Sequence, residues 1–141
     1  MSKSVSSIRR TRSKHRIQAA AEAKASHSSD SHLVVHFDGK LLPAIVGGTE
    51  KEECVAVVVT GLTSEKLLAI PKVVQGTGEQ MAQAAAETLN SWDLTEDVVG
   101  MSFDTIAANT GHRNGTCVLL EHKIGKDLLW LACRHHILEV L

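Results

Sequence analysis

Short apolar runs rich in β-branched residues follow one another along the chain from residue 33. They cover residues 33–38, 54–60 and 66–70, and a glycine or proline follows each run. Runs of this length, bounded by turn-forming residues, are typical of β-strands. The connections between them are short, including a Gly-rich and charged one over residues 47–53. We therefore predict a meander of three antiparallel strands.

The apolar spacing changes to that of a helix after Gly78. Residues 79–92 combine strong helix formers with apolar side chains at positions 81, 85, 89 and 92, and Thr77 or Gly78 can cap this helix. The pattern then predicts, in order, a strand ending at Asp104, a polar loop over residues 105–111, a helix over residues 114–124 and a buried strand over residues 128–133. A helix between two strands of one sheet places those strands parallel. The sequence therefore predicts an α/β domain over residues 32–141, with a mixed sheet of five strands.

The first 31 residues differ from the rest in composition and charge. Residues 1–27 hold seven Lys/Arg and one acid, a net charge of +6, whereas residues 28–141 have a net charge of −7. Because large apolar side chains are scarce, we predict a disordered basic arm over residues 1–31, with a marginal helix over residues 17–25. The arm either contacts DNA phosphates or simply stays solvated. The side chains that would contact DNA are Arg9, Arg10, Arg12, Lys14 and Arg16.

Composition also limits the compartment and the kind of nucleic-acid contact. Aromatic residues make up 3% of the chain, too few for a platform that stacks bases, so any contact with nucleic acid would be mainly electrostatic. The three cysteines lack CxxC spacing, which indicates reduced thiols of an intracellular protein. The sequence has neither a secretory signal nor an apolar run of ~20 residues. We expect a nuclear or cytoplasmic protein that does not enter a membrane, with a mitochondrial presequence as the alternative.

Asp38 and Asp104 close matching apolar runs, and each follows a phenylalanine. Strands that end in an acid deliver it to the edge of a sheet, where open α/β folds bind ligands. Side by side, the two carboxylates would form a site for Mg²⁺ or Mn²⁺. The alternative for each is a turn residue, especially for Asp38, which precedes Gly39.

These acids, in the predicted first and fourth strands, are followed after the fifth strand by Cys133-Arg134-His135-His136. In this order of elements and motifs, residues 33–141 resemble the catalytic domain of DDE transposases, in particular those of the hAT superfamily. The resemblance implies a ribonuclease H-like fold, with Asp38 and Asp104 as the first two catalytic acids. It also implies that Cys133 and His136 form the family's Cys/His motif.

The family's third catalytic acid, a glutamate beyond a long helical insertion, has no counterpart in this sequence. Glu139 is the only acid after the Cys/His motif and lies too close to it. The family's zinc-finger DNA-binding domain is also missing. Cleavage and strand transfer of DNA need two metal ions about 3.5–4 Å apart, and two carboxylates would hold one ion weakly. We therefore expect a C-terminally truncated fragment derived from a transposable element, catalytically inactive, with an uncovered sheet face that favours self-association.

Two other classes of protein stay open. A non-catalytic module that binds protein or DNA would use the two aspartates only as turn residues. A nucleotide-binding domain of the actin-like type would also place Asp-Gly and Asp-Thr turns near phosphates. That type, however, needs glycine-rich phosphate loops and a duplicated domain, which 141 residues cannot supply.

Several further residues allow two interpretations. Cys133 and His136 form either half of a zinc site or a packing pair at the end of a strand. Asn109 and Thr110 either bind near the metal or shape the loop before Gly111. His36 is expected to be a hydrogen-bonded histidine of the sheet, and its side chain should lie on the opposite face from Phe37.

Overall fold

A computed structural model of the chain describes residues 4–26, 32–43 and 51–133. The predicted strands and the two predicted helices of the α/β domain are all present, and two helices are added or extended. The described elements, in chain order, are α1 (Val5–Ala25), β1 (Leu33–Pro43), β2 (Lys51–Thr60), β3 (Glu65–Ala69), α2 (Gly78–Ser91), β4 (Val98–Phe103), α3 (Ala107–Thr110), α4 (Thr116–Ile124) and β5 (Leu129–Ala132).

The strands form one mixed sheet in the order β3-β2-β1-β4-β5. β1, β2 and β3 are antiparallel neighbours, whereas β4 lies parallel to β1, and β5 lies parallel to β4. Short connections produce the antiparallel part, and crossovers that contain α2 and α4 produce the parallel part. The predicted α/β class, the three-stranded meander and the mixed sheet of five strands are confirmed.

One face of the sheet, the covered face, packs against α2 and α4 and forms the hydrophobic core. Alternate residues of the central strands point into this core, because successive side chains of a strand lie on opposite faces. α2 contributes Met81, Ala85 and Leu89, as its helical spacing predicts. Thr77 caps α2, since its hydroxyl accepts from the Gln80 N–H at 3.4 Å. The core residues from the strands and α4 include Leu33, Val35, Phe37, Val55, Val57, Val59, Met101, Phe103, Cys117 and Leu120.

The opposite face of the sheet, the open face, is only half-buried within the described residues. Its central positions alternate with those of the core and are Val34, His36, Ala56, Val58 and Ser102. His36 lies on this face, as predicted, and its Nε2 makes a hydrogen bond of 2.8 Å with the Thr60 hydroxyl. The prediction of a hydrogen-bonded sheet histidine is confirmed.

β5 forms one edge of the sheet, and all four of its residues are exposed. The prediction of a buried strand over residues 128–133 is therefore wrong in its burial. Only Leu128, just before the strand, is buried, whereas Leu129 is 66% exposed. Glu121 of α4 fixes this edge: its Oε1 accepts from the Leu128 N–H at 2.8 Å and from the Trp130 indole N–H at 2.9 Å.

Two other boundaries differ from the predictions. The predicted connection over residues 47–53 is wrong at its end, because β2 begins at Lys51 and its first residues pair with the end of β1. The predicted polar loop over residues 105–111 contains the short helix α3. Cross-strand pairing and local helical hydrogen bonds organise backbone that composition marks as loop.

The helix α1 covers the predicted marginal helix over residues 17–25 and extends it to Val5. Ser4 caps it by accepting from the Ser7 N–H at 3.3 Å. α1, which the structure describes in full, buries none of its side chains. Lys24 of α1 lies near the domain: its Nζ is 5.7 Å from the ring centroid of Trp92. None of the described helices is long and apolar enough to cross a membrane.

Candidate functional site

Asp38 and Asp104 line the same cleft of 560 Å³ on the open face of the sheet. The parallel pairing of β1 with β4 brings them together, because it places His36 opposite Ser102 two residues earlier. Phe37 and Phe103, one residue before each acid, stack with their ring centroids 6.2 Å apart and their planes 15° apart. The structure thus places Asp38 on β1 and Asp104 directly after β4, the parallel neighbour of β1.

The two acids occupy different places along their strands. Asp104 follows β4 directly, as predicted. Asp38 lies in the middle of β1, opposite Ala56 of β2, so the prediction that it closes its strand is wrong. The Asp38-Gly39 pair favours a turn, but backbone pairing with β2 continues past it to Pro43. Asp38 is therefore a strand residue of the open face.

Lys40 lines the cleft together with Asp38. Its Nζ lies 2.9 Å from Asp38 Oδ2, and the two side chains are 63% and 51% exposed. The hydrogen bond and charge of Asp38 raise the pKa of Lys40, and the charge of Asp104 adds to this effect. The ammonium group thus pairs with one oxygen, Oδ2, of the Asp38 carboxylate.

Asn109 is the partner of Asp104. Its Nδ2 donates to the Asp104 carboxylate and, at 3.2 Å, to the Asp104 backbone carbonyl. Asn109 belongs to α3 and is 3% exposed, so its side chain is fixed by its surroundings. Of the two interpretations offered for it, this contact supports a place beside the carboxylate, and the same bonds also shape the loop. The Thr110 hydroxyl donates to the Ile106 carbonyl at 3.2 Å, which is a role within the loop.

Two glycines, Gly78 and Gly115, allow the segment that contains α3 to pack closely against the starts of α2 and α4. A Cβ on Gly78, at the start of α2, would lie 2.2 Å from the Asn114 carbonyl oxygen, and a Cβ on Gly115 would lie 2.6 Å from the Asn109 carbonyl oxygen. Only glycine permits backbone approach this close. The Thr116 hydroxyl adds a hydrogen bond of 3.1 Å to the Ala108 carbonyl. The start of α2 and the start of α4 therefore fix α3, and α3 fixes Asp104 through Asn109.

Cys133 lines the same cleft as the two aspartates and is half-buried. Its backbone N–H donates to the Phe103 carbonyl at 2.8 Å, which extends the pairing of β4 with β5. His136, predicted as its partner, lies outside the described residues. The other two thiols, Cys54 and Cys117, are free and buried, and burial raises the pKa of Cys117 to about 12, with a further contribution from Glu121.

The oxygen atoms of the cleft suit a hard divalent cation. Mg²⁺ is usually held by one or two carboxylates together with water and substrate phosphates, and Asp38 and Asp104 supply two carboxylates in one cleft. Across residues 4–26, 32–43 and 51–133, no three His, Cys, Asp or Glu side chains form a group that could hold a metal ion. By the chemistry of its oxygen donors, the pair fits a hard divalent cation.

The basic side chains predicted to contact DNA all lie on α1 and are exposed. Arg9, Arg12 and Arg16 follow the spacing of one helix face, and Arg10 and Lys14 follow that of another, because residues three and four apart in a helix are neighbours. The predicted arm therefore presents two stripes of positive charge.

Lys40 is a residue of the cleft that was not predicted from the sequence. On a strand, residues two apart share a face, so Lys40 lies beside Asp38 once β1 continues through Gly39. A prediction that ends the strand at Asp38 removes this relation.

Comparison of the chain with protein-family models, with curated proteins and with solved structures gave no match. We therefore infer a function from the residues of the cleft and of α1.

Proposed function

We propose that the sheet and its helices form a ribonuclease H-like domain related to the catalytic domain of hAT-type DDE transposases. The support is the strand order β3-β2-β1-β4-β5 with β2 antiparallel to β1, together with an acid on β1 and another directly after β4. Fold alone does not give function. The functional part of the proposal depends on the cleft that Asp38 and Asp104 share.

The function proposed for this cleft is weak binding of one Mg²⁺ or Mn²⁺ ion by Asp38 and Asp104. In enzymes that cleave phosphodiesters, such an ion polarises the phosphate and activates the attacking water. Asn109 holds the Asp104 carboxylate in place through its Nδ2. Phe37 and Phe103 hold the two strand positions together by stacking. The carboxylate of Asp38 becomes available when Lys40 releases it.

We propose further that this chain does not cleave DNA efficiently. Two-metal cleavage needs acids that hold both ions about 3.5–4 Å apart. Among the residues that the structure describes, no third acid joins Asp38 and Asp104 in a metal-binding group. The proposed protein is thus derived from a transposase and retains a metal-binding cleft without the catalytic set.

The decisive experiment is a titration of the purified chain with Mg²⁺ and Mn²⁺, followed by thermal unfolding. Ion binding to the folded state raises the unfolding temperature as the ion concentration rises. We expect a rise at millimolar Mn²⁺ that Asp38→Asn and Asp104→Asn each abolish, and no cleavage of a DNA duplex above background. Asp127→Asn, a loop carboxylate outside the lining of the cleft, is the matched control. Equal shifts in all four proteins would contradict the proposal.

We also propose that α1 contacts DNA through phosphates. Its five basic side chains are exposed, and each phosphate contact releases counterions, so affinity falls steeply with salt. Replacing Arg9, Arg12 and Arg16 by glutamine should weaken duplex binding and reduce the slope of log affinity against log salt by about 2–3. Fluorescence anisotropy with two unrelated duplexes measures this, and a marked preference for one duplex would contradict a purely electrostatic contact.

A second candidate function is a non-catalytic interaction module. The observation in its favour is the ion pair between Lys40 and Asp38, which neutralises one of the two acids without any metal. This candidate predicts no metal-dependent shift at all, even at millimolar Mn²⁺. The titration therefore separates the two functions.

A further inference from the structure

A second cavity, of 290 Å³, lies between the end of β1, the start of β2 and the start of α2. It shares Asp104 and Lys40 with the metal cleft but does not include Asp38. Its acids are Glu53 and Asp104, and Asn109 is its neutral polar side chain. Much of the remaining wall is apolar, and Leu41, Val55, Val73 and Met81 contribute to it.

Two residues that line this cavity each carry a buried acceptor atom without a hydrogen-bond partner among the described residues. These atoms are Asn109 Oδ1 and Glu53 Oε2. Asn109 is 97% buried, given its 3% exposure, and its Nδ2 is fixed on Asp104, so its carbonyl oxygen cannot exchange places with the amide nitrogen without losing that bond. Most buried polar atoms in folded proteins are paired. Two such acceptors on residues that line one cavity therefore point to a ligand that donates hydrogen bonds.

The charge and the walls of the cavity narrow the chemistry of that ligand. Glu53 and Asp104 are both acids, which favours a cation. Lys40 is the cation already present, but its Nζ pairs at 2.9 Å with Asp38, which does not line this cavity. The apolar walls favour a hydrocarbon body over a fully hydrated metal ion. A primary ammonium group carries three donors and no acceptor, and an alkyl stem can lie along apolar walls.

We propose that this cavity binds a small primary alkylammonium ion, with its ammonium group donating to Glu53 Oε2 and Asn109 Oδ1. The site goes beyond the metal cleft, because it uses Glu53 and does not use Asp38. Gly76 contributes the space: a Cβ there would lie 3.4 Å from Glu53 Oε2. A larger side chain at position 76 would occupy the place of the ligand's ammonium group.

The experiment titrates the full chain with butylammonium chloride and follows binding by protein NMR shifts. Butanol has a similar hydrocarbon body without the charge, and tetramethylammonium has the charge without N–H donors. We expect saturable binding of butylammonium, with affinity at least tenfold greater than for either control compound. Equal affinity for tetramethylammonium would overturn the proposal, because it would show attraction by charge alone.

Variants assign the binding to this cavity. Glu53→Gln should weaken butylammonium binding at least tenfold, and Gly76→Val should weaken it similarly by filling the cavity. Glu52→Gln is the matched control: Glu52 is the neighbouring residue, pairs with Lys72 at 2.6 Å and does not line the cavity. Glu52→Gln should bind butylammonium with the same affinity as the unaltered chain. Wild-type affinity in both Glu53→Gln and Gly76→Val would sink the proposal.

Asp38→Asn separates this proposal from that of the metal cleft. This variant should lose the Mn²⁺-dependent thermal shift and keep butylammonium binding, whereas Glu53→Gln should do the reverse. If Asp38→Asn abolishes butylammonium binding as well, the ligand lies in the metal cleft and the second site is refuted. Each proposal can therefore fail without the other.

Discussion

The two faces of the sheet have different roles: the covered face carries the hydrophobic core, and the open face carries the residues of the candidate site. On the covered face, the strand residues and the helices α2 and α4 exclude water almost completely, and Val35, Val57 and Leu89 are fully buried. On the open face, the alternate side chains of the same strands are half-buried or exposed. This face carries Asp38, Lys40 and His36. Neighbouring residues of one strand thus have unrelated roles.

This division follows from the geometry of a strand. Because successive side chains point to opposite faces, one strand can serve a core and a site with alternate residues. Burial on the covered face supplies about 25 cal/mol per Å² of apolar surface, whereas an exposed ion pair such as that of Lys40 with Asp38 contributes little to stability. Substitutions on the covered face should therefore change stability, and those on the open face should change binding or pH dependence.

The largest effect on stability is expected for a leucine-to-alanine substitution on the covered face, compared with the same substitution at an exposed position. Leu89→Ala removes a fully buried side chain of α2 and should lower the free energy of unfolding by about 2–5 kcal/mol. Leu129→Ala, on the exposed edge strand, should change it by no more than about 0.5 kcal/mol. Urea unfolding followed by circular dichroism measures both. Similar losses in the two variants would show that β5 is part of the core.

A smaller loss of stability is expected at Gly78, where the backbone at the start of α2 closely approaches the backbone of the loop before α4. Gly78→Ala places a Cβ 2.2 Å from the Asn114 carbonyl oxygen, so the loop that holds Asn109 must shift, at a cost of about 1–3 kcal/mol. Gly76→Ala is the control, because its Cβ meets Glu53 Oε2 at 3.4 Å, an ordinary contact. That variant should be neutral or slightly more stable, since alanine restricts the unfolded chain. A neutral Gly78→Ala would show that the loop adapts freely.

Sequence periodicity predicts the covered face well and the open face poorly. The spacing of Met81, Ala85 and Leu89 predicts their burial, because a core repeats the period of its helix or strand. The end of β1 does not follow from the sequence: Asp38-Gly39 has the composition of a turn, and only pairing with β2 keeps it in a strand. A prediction that ends β1 at Asp38 therefore also misses the ion pair of Asp38 with Lys40.

The exposure of β5 has the same origin. Leu129, Trp130 and Leu131 form an apolar run that is typical of a buried strand, but burial depends on which neighbours the strand receives. β4 is the neighbour that the structure describes. The contact of Asn109 with Asp104 is likewise a tertiary result, because it depends on α3 and on the glycines that hold it.

On the open face, the sharpest effect should be on metal affinity. Lys40→Gln removes the cation that competes for Asp38, so Mn²⁺ should bind on the order of fivefold more tightly. Lys51→Gln, an exposed lysine at the start of β2 that does not line the cleft, removes the same charge elsewhere. It should leave the affinity nearly unchanged. Isothermal titration with both variants provides the measurement, and equal gains would mean that net charge, rather than the ion pair, controls the site.

The smallest effect concerns the pH dependence of stability. Burial lowers the pKa of His36 below 6.5, and the charge of Glu65 opposes this in part. Between the lowered pKa and 6.5, the unfolded chain binds more protons than the folded chain, so His36 makes stability fall as pH drops through this window. His36→Gln should make the free energy of unfolding fall less between pH 7 and pH 5. The change in its slope against pH should correspond to less than one bound proton, and the dependence above pH 7.5 should stay the same. Urea midpoints across this range test it, and an unaltered slope would show that His36 takes up its proton in the folded sheet as easily as in the unfolded chain.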